Sequence, residues 1–229
     1  MSVDYRFFMQ NKPDQRSRHS VRLKGYDYTQ VGAYFVTIVT ERRNCLFGSI
    51  IDGEICLNSV GRIVQSAWNE LPKHFSGIDT DMFVVMPNHV HGIICIADNP
   101  RVLVGAQHAA PSKHRVPSNP NVQPSSLGAI IRSFKSAVSK LYNEECGRSG
   151  LGIWQRNYYE HIIRDERALI RIREYIATNP ARWSSDPENP AATHPESRDI
   201  WQSDHSRLSG TAQDERAQHA APLRGIRKI

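Results

Sequence analysis

The residue pattern predicts an α+β domain in which helices pack on an antiparallel sheet, and three observations carry that prediction. Ala33 to Thr40 is a run of β-branched and aromatic residues, the composition of a buried strand. Ile63, Val64, Ala67, Trp68 and Leu71 then recur at spacings of one and three, which puts them on one face of a helix over Val60 to Leu71. A second long β-rich stretch, Ile78 to Ala97, follows it.

The elements can be justified in order. Residues 1–24 are polar and basic, with Lys12, Arg16, Arg18, Arg22 and Lys24 among few large apolar side chains, and read as a flexible arm. A domain over residues 25–183 begins with the strand, which Glu41-Arg42-Arg43-Asn44 ends. Asp52-Gly53 is a tight-turn signal inside a hairpin from Gly48 to Leu57, and Pro72 is expected to close the helix that follows. Strand, helix, strand in this order is the first half of a ferredoxin-like or RRM-like unit. Residues 98–125 turn to Pro, Ser, Asn, Gln and His without periodicity, an irregular insertion. Leu127, Ile130, Ile131, Phe134, Ala137, Val138 and Leu141 then mark a helix over Leu127 to Tyr142, with Arg132, Lys135 and Lys140 on its polar face. Trp154 to Ile163 reads as a strand and Asp165 to Thr178 as a helix stopped by Asn179-Pro180. Residues 184–229 are polar with isolated hydrophobes and are expected to form a disordered tail.

Composition limits the partners. The chain has 229 residues, with 29 Lys and Arg against 23 Asp and Glu, a net charge of +6 that suits a polyanion. Cys45, Cys56, Cys95 and Cys146 make no CxxC pair, so they are expected to be reduced structural thiols of a cytoplasmic protein. The start, Met1-Ser2-Val3-Asp4-Tyr5-Arg6, lacks a signal-peptide pattern, and no apolar run approaches the ~20 residues of a membrane span. No membrane partner is expected.

The chemistry concentrates in Met86-Pro87-Asn88-His89-Val90-His91. Side chains at i and i+2 of a strand leave the same face, so His89 and His91 point together, which is how a strand presents two ligands to one metal ion. Two ionisable rings in an apolar strand cost free energy unless something pairs with them. In the last helix Tyr175 and Asn179 are four residues apart and share a face, at the edge of a stripe formed by Leu169, Ile172 and Ile176.

Four ordered segments carry a resemblance to a known family. Met86 to Ile94 resembles the His-hydrophobe-His signature of the HUH single-tyrosine transposases, specifically the REP-associated tyrosine transposases and their insertion-sequence relatives. Tyr34 to Thr40, Ser126 to Lys135, and Ile153 to His161 followed by Tyr175 to Pro180 look like the same family, in the same order. The resemblance spans residues 25–183 and implies the HUH endonuclease fold.

It also implies an activity: a metal-dependent endonuclease that nicks and rejoins single-stranded DNA at hairpin-forming, REP-like sequences through a 5′-phosphotyrosine. Carried over by motif, Tyr175 is the nucleophile, His89 and His91 are metal ligands and Asn179 is the third. Two imidazoles and an amide suit Mn²⁺ or Zn²⁺ on softness grounds, whereas the resemblance implies Mg²⁺, with Mn²⁺ substituting. Arg132, Lys135, Trp154 and Arg171 are candidates for contacts with DNA, and Tyr158, Tyr159 and His161 read as packing beside the sheet. A nucleoid-associated monomer is expected, with a dimer as the other possibility. Two further readings stand beside this one. The first is a catalytically silent nucleic-acid-binding module on the same fold. The second is a water-using metal hydrolase, which would need carboxylates near the histidines, where Asp79 and Asp81 are the ones at hand.

Overall fold

The computed structural model describes residues 26–97, 126–147, 149–150 and 152–193. The basic arm, the insertion at 98–125 and the tail beyond residue 193 lie outside the described residues.

In chain order the elements are β1 (Gly32–Val39), the hairpin β2 (Gly48–Ile51) and β3 (Glu54–Leu57), α1 (Ser59–Asn69), α2 (Leu71–His74), β4 (Ile78–Val85), β5 (His89–Ile96), α3 (Leu127–Glu145), β6 (Tyr159–Ile163) and α4 (Glu166–Thr178). Four strands form one sheet in the order β4-β5-β1-β6, with every neighbouring pair antiparallel. Leaving aside the β2–β3 hairpin, that order and the helices between the strands are those of a ferredoxin-like βαββαβ unit, to which α4 is added. The α+β fold expected from the sequence is the one observed.

Strand alternation divides the side chains between two cores. Tyr34, Val36 and Ile38 of β1 join Val90, Ile94 and Ile96 of β5 under α1 and α3, where Trp68 and Phe134 are fully buried. Ala33 and Phe35 join Ile93 and Ile163 on the other face, under Leu169, Ile172 and Ile176 of α4. Each long helix starts on a side-chain cap that satisfies one of its first free N–H groups. Asn58 accepts from Gly61 N at 2.9 Å, Ser126 from Ala129 N at 3.3 Å and Asp165 from Ala168 N at 2.8 Å.

Several boundaries differ from the sequence expectations. Pro72 does not close α1, which ends at Asn69; it sits in the first turn of α2, where its missing N–H costs nothing. The strand expected over Trp154 to Ile163 is regular from Tyr159, with Trp154 making an isolated bridge to Thr40. The tail does not begin as disordered chain at residue 184. A 3₁₀ turn over Pro180–Ser185 leads into Asp186 and Glu188, which are 3% and 6% exposed. These polar residues bury because they find partners: Arg43 Nε donates to Glu188 Oε2 at 2.9 Å, and Asn88 holds the Glu188 carbonyl. Cys45, Cys56 and Cys146 are exposed free thiols and Cys95 is half-buried, so three of the four are not packing residues.

Candidate active site

β5 turns His89 and His91 to the α4 face of the sheet, and both are buried, 0% and 3% exposed. Thr37 lies opposite His91 in the β1–β5 register, with its Oγ1 2.8 Å from His91 Nδ1. The other ring nitrogen, Nε2, therefore faces the cleft, where the Tyr175 hydroxyl stands 3.3 Å away. The Tyr175 ring is set edge-on to Phe35 at 6.1 Å, and the Phe35 ring stacks on His91 at 5.4 Å. Helix α4 and strand β5, 84 residues apart in sequence at these positions, thus converge on one pair of reactive atoms.

The protonation of His89 follows from its neighbour. Asn88 Nδ2 donates to the carbonyls of Arg43 and Glu188 at 3.0 and 2.8 Å, so the amide oxygen is the atom that faces His89. That oxygen is 2.8 Å from His89 Nδ1, which must carry the proton and donate it. In the neutral ring this leaves the lone pair on His89 Nε2, the form in which imidazole ligates a metal. It points to Asp186, whose Oδ2 is 3.9 Å away. Burial holds the His91 pKa well below its usual 6.5; the nearby His89 acts in the same direction and Asp186 opposes it. His91 is therefore neutral at physiological pH.

Among the described residues His89, His91 and Asp186 bring ligand atoms within 4.8 Å of one another. Asn179, 2% exposed, adjoins them: its Nδ2 donates to Asp186 Oδ2 at 3.1 Å, while its Oδ1 is buried with no hydrogen-bond partner among the described residues. A buried carboxylate, an orphaned amide oxygen and lone-pair nitrogens are a donor set that fits a divalent cation and would be costly to bury without one.

The structure brings His89, His91, Tyr175 and Asn179 near one another. Asp186, Asn88 and Thr37 were missed. Asn88 stood inside the histidine motif, where its proximity to His89 was a usable signal, but Asp186 stood in a polar stretch without periodicity and gave none. Of the carboxylates weighed at the sequence level, Asp81 is engaged by Arg173 instead.

The residues suggested for DNA contact are not gathered at the histidines. Arg132 is exposed on α3, and Lys135 Nζ donates to the carbonyls of Gln155 and Arg156 at 2.5 and 3.2 Å, with burial bringing its pKa down to about 8. Trp154 donates to the Lys135 carbonyl at 3.2 Å and packs between Phe47 and Phe134. All three belong to the α1–α3 face, opposite the histidines. Arg171 is exposed on α4.

His161 and Tyr159, on β6, do share the α4 face, where Tyr159 packs edge-on to Phe35 at 6.4 Å. Burial pushes His161 down to about 4, with Arg164 and Arg171 adding to the shift. Its folded ring stays neutral while the unfolded ring takes up a proton near pH 6.5, so stability is full above pH 6.5 and falls as the pH drops toward 4. The loss is expected to reach up to about 3 kcal/mol. Urea unfolding of His161→Gln should show that part of the acid sensitivity removed; an unchanged pH dependence would place it elsewhere.

No protein-family model matches the chain. A Haemophilus influenzae protein described only as “Uncharacterized protein” is 41% identical over 170 residues, covering 74% of this chain and 91% of that relative. A second H. influenzae protein, described as “Putative REP-associated tyrosine transposase”, is 26% identical over 156 residues, covering 68% of this chain and 74% of the relative. Among solved structures, a REP-associated tyrosine transposase bound to a REP hairpin aligns with TM-score 0.45 and 19% identity, covering 74% of this chain and 81% of its own. A transposase-like protein from Deinococcus radiodurans aligns with TM-score 0.36 and 15% identity, covering 68% of this chain and 95% of its own. No helix among the described residues is long and apolar enough to cross a membrane. By its identity with the first relative the chain belongs to one family with it, and the chain is also similar to a protein described as a REP-associated tyrosine transposase.

Proposed function

We propose that the protein is a metal-dependent nickase and strand transferase acting on single-stranded DNA at hairpin-forming sequences, with Tyr175 as its nucleophile. The observation that carries this reading is the Tyr175 hydroxyl 3.3 Å from His91 Nε2, beside His89 and Asp186. A silent binding module has no use for a phenol aimed into a cluster of buried metal-type donors, and a water-using hydrolase has no use for the phenol.

His89, His91 and Asp186 would hold the cation, with Asn179 supplying its amide oxygen. When bound, it neutralises the non-bridging oxygens of the scissile phosphate, which otherwise repel an incoming nucleophile. Nitrogen and carboxylate donors together suit Mn²⁺ well, and Mg²⁺ is the abundant rival. The Tyr175 oxygen attacks phosphorus, its O–H proton is released, and the P–O3′ bond breaks. The departing 3′ oxygen takes up a proton as a free hydroxyl, and the 5′-phosphate remains on the tyrosine. Attack by a second strand's 3′-hydroxyl reverses each of these changes and frees Tyr175. One phosphodiester is exchanged for another through an ester of similar energy, so no external energy source is needed. The +6 charge suits the polyanionic strand.

The test is to incubate the full chain with labelled hairpin oligonucleotides and Mn²⁺ or Mg²⁺ and run a denaturing gel. A covalent protein–DNA band that requires the cation is expected. Hairpin binding without an adduct under either cation would favour the silent binding module.

The same reading assigns Asn88 a measurable part. Asn88→Ala leaves His89 free to place its proton on Nε2, so Mn²⁺ affinity measured by calorimetry should fall about 10–100-fold. An unchanged Kd would show that the His89 tautomer is set by another group.

A further inference from the structure

Tyr175 can act only if α4 is held at the correct roll, and the apolar stripe beneath the helix is a weak guide to roll. Leu169, Ile172 and Ile176 bury against Ala33, Phe35 and Ile93 by contacts that have no directional preference. A directional contact is found one residue off the stripe. Arg173 donates to Asp81 of β4 through two nitrogens, Nε to Oδ1 at 3.0 Å and Nη2 to Oδ2 at 2.7 Å, and the two side chains are 17% and 10% exposed. Paired, in-plane contacts of this kind fix orientation as well as distance.

The strand is distorted where it makes this contact. Thr80 pairs with Ile94 and Phe83 with Gly92, so Asp81 and Met82 together oppose the single residue Ile93. This is a β-bulge, a device that re-aims side chains. In a regular strand Asp81 and Phe83 would share a face. The extra residue lets Phe83 stack on Trp68 in one core, at 5.6 Å, while Asp81 meets Arg173 on the opposite face.

Arg173 and Tyr175 are two residues apart, about 200° around the helix axis, and so flank the buried stripe on opposite sides. A roll of α4 about its axis moves both. With side chains reaching some 5–6 Å from the axis, a roll of about 20° carries the phenolic oxygen roughly 2 Å, enough to lose a 3.3 Å relation to His91. Displacements of this size cost catalysis heavily, because reaction needs close alignment.

We propose that Asp81 and Arg173 are positioning residues: their bidentate ion pair, presented by the β4 bulge, sets the roll of α4 and thereby aims Tyr175 into the site. The inference rests on the reading of Tyr175 as nucleophile. Neither residue touches DNA or cation in this role, so the pair governs the rate of the covalent step and leaves affinity alone.

The experiment uses the full chain, a hairpin oligonucleotide and Mn²⁺, and compares wild type, Asp81→Asn, Arg173→Gln and the exchanged pair Asp81→Arg with Arg173→Asp. Each single variant should form adduct in a single turnover at least about 10-fold more slowly, with hairpin and Mn²⁺ dissociation constants within about two-fold of wild type. The exchanged pair should recover part of the rate. A single variant with a wild-type rate, or one whose hairpin affinity falls in step with its rate, overturns the proposal. A second readout needs no activity: ¹⁹F NMR of chains labelled with 3-fluorotyrosine, with the Tyr175 signal assigned by its loss in Tyr175→Phe. In wild type the signal should be displaced by the His91 and Phe35 rings, and in Asp81→Asn it should move toward the unfolded position. If wild type makes no adduct, the nuclease reading fails and the NMR alone decides; an unmoved signal in Asp81→Asn overturns the positioning role.

Discussion

Tyr175→Phe is expected to bind hairpin DNA as the wild type does and to form no covalent adduct, a loss of roughly 10⁴-fold or more, the scale on which removing a nucleophile acts in other enzymes. The substitution removes one oxygen. The ring remains, half-buried, with its edge-on contact to Phe35 at 6.1 Å and its place 5.1 Å from the His91 ring. The 3.3 Å contact of the hydroxyl with His91 Nε2 is too long to carry much stability, and the packing of the ring is kept, so the melting temperature should change little. Denaturing gels and a binding titration on the same preparation separate the outcomes. Adduct formation by Tyr175→Phe would move the nucleophile to another tyrosine, with Tyr159 the first to test because it lies on the same face of the sheet.

Gly92→Ala is expected to destabilise the protein strongly. Gly92 directly follows His91 and turns to the α1–α3 face, where a Cβ would stand 2.3 Å from Trp68 Cζ2 and 2.6 Å from Cη2. No flexible end can yield there. Trp68 is fully buried, stacked on Phe83 at 5.6 Å and edge-on to Phe134 at 5.5 Å. Overpacking a rigid site of this kind costs about 3 kcal/mol or more, and a fall in melting temperature of the order of 10 °C should be seen by calorimetry. Because β5 carries both histidines, any shift that relieves the clash also moves the site, so Mn²⁺ affinity should fall with stability. A melting temperature within about a degree of wild type would show that Trp68 can move aside.

The elements that were legible in advance share a property: their signal is local. β1 and β5 are dense in β-branched residues, and α1, α3 and α4 each bury one stripe at helical spacing, so composition and period located them. His89 and His91 could be paired because alternation along a strand is a local rule, and Tyr175 with Asn179 because one helical turn is. The errors fell where local rules compete. Pro72 both ends helices and begins them, and the sequence could not say which, whereas the structure starts α2 there. Lys135 sits at a polar position of its helix, yet Gln155 and Arg156 come from a distant segment to cover it.

The candidate site shows the same division. The residue types for the chemistry, and the strand and helix that bear them, were determined by the sequence alone. Tertiary structure decided that Asp186, from a stretch with no periodic signal, joins the two histidines, that Asn88 dictates the His89 tautomer, and that Arg173 reaches Asp81 across a bulge. The reason is physical. Hydrophobic periodicity reports which face of an element is buried, but burial of a polar side chain depends on partners supplied from elsewhere in the chain, and those partners exist only once the sheet and α4 have packed together.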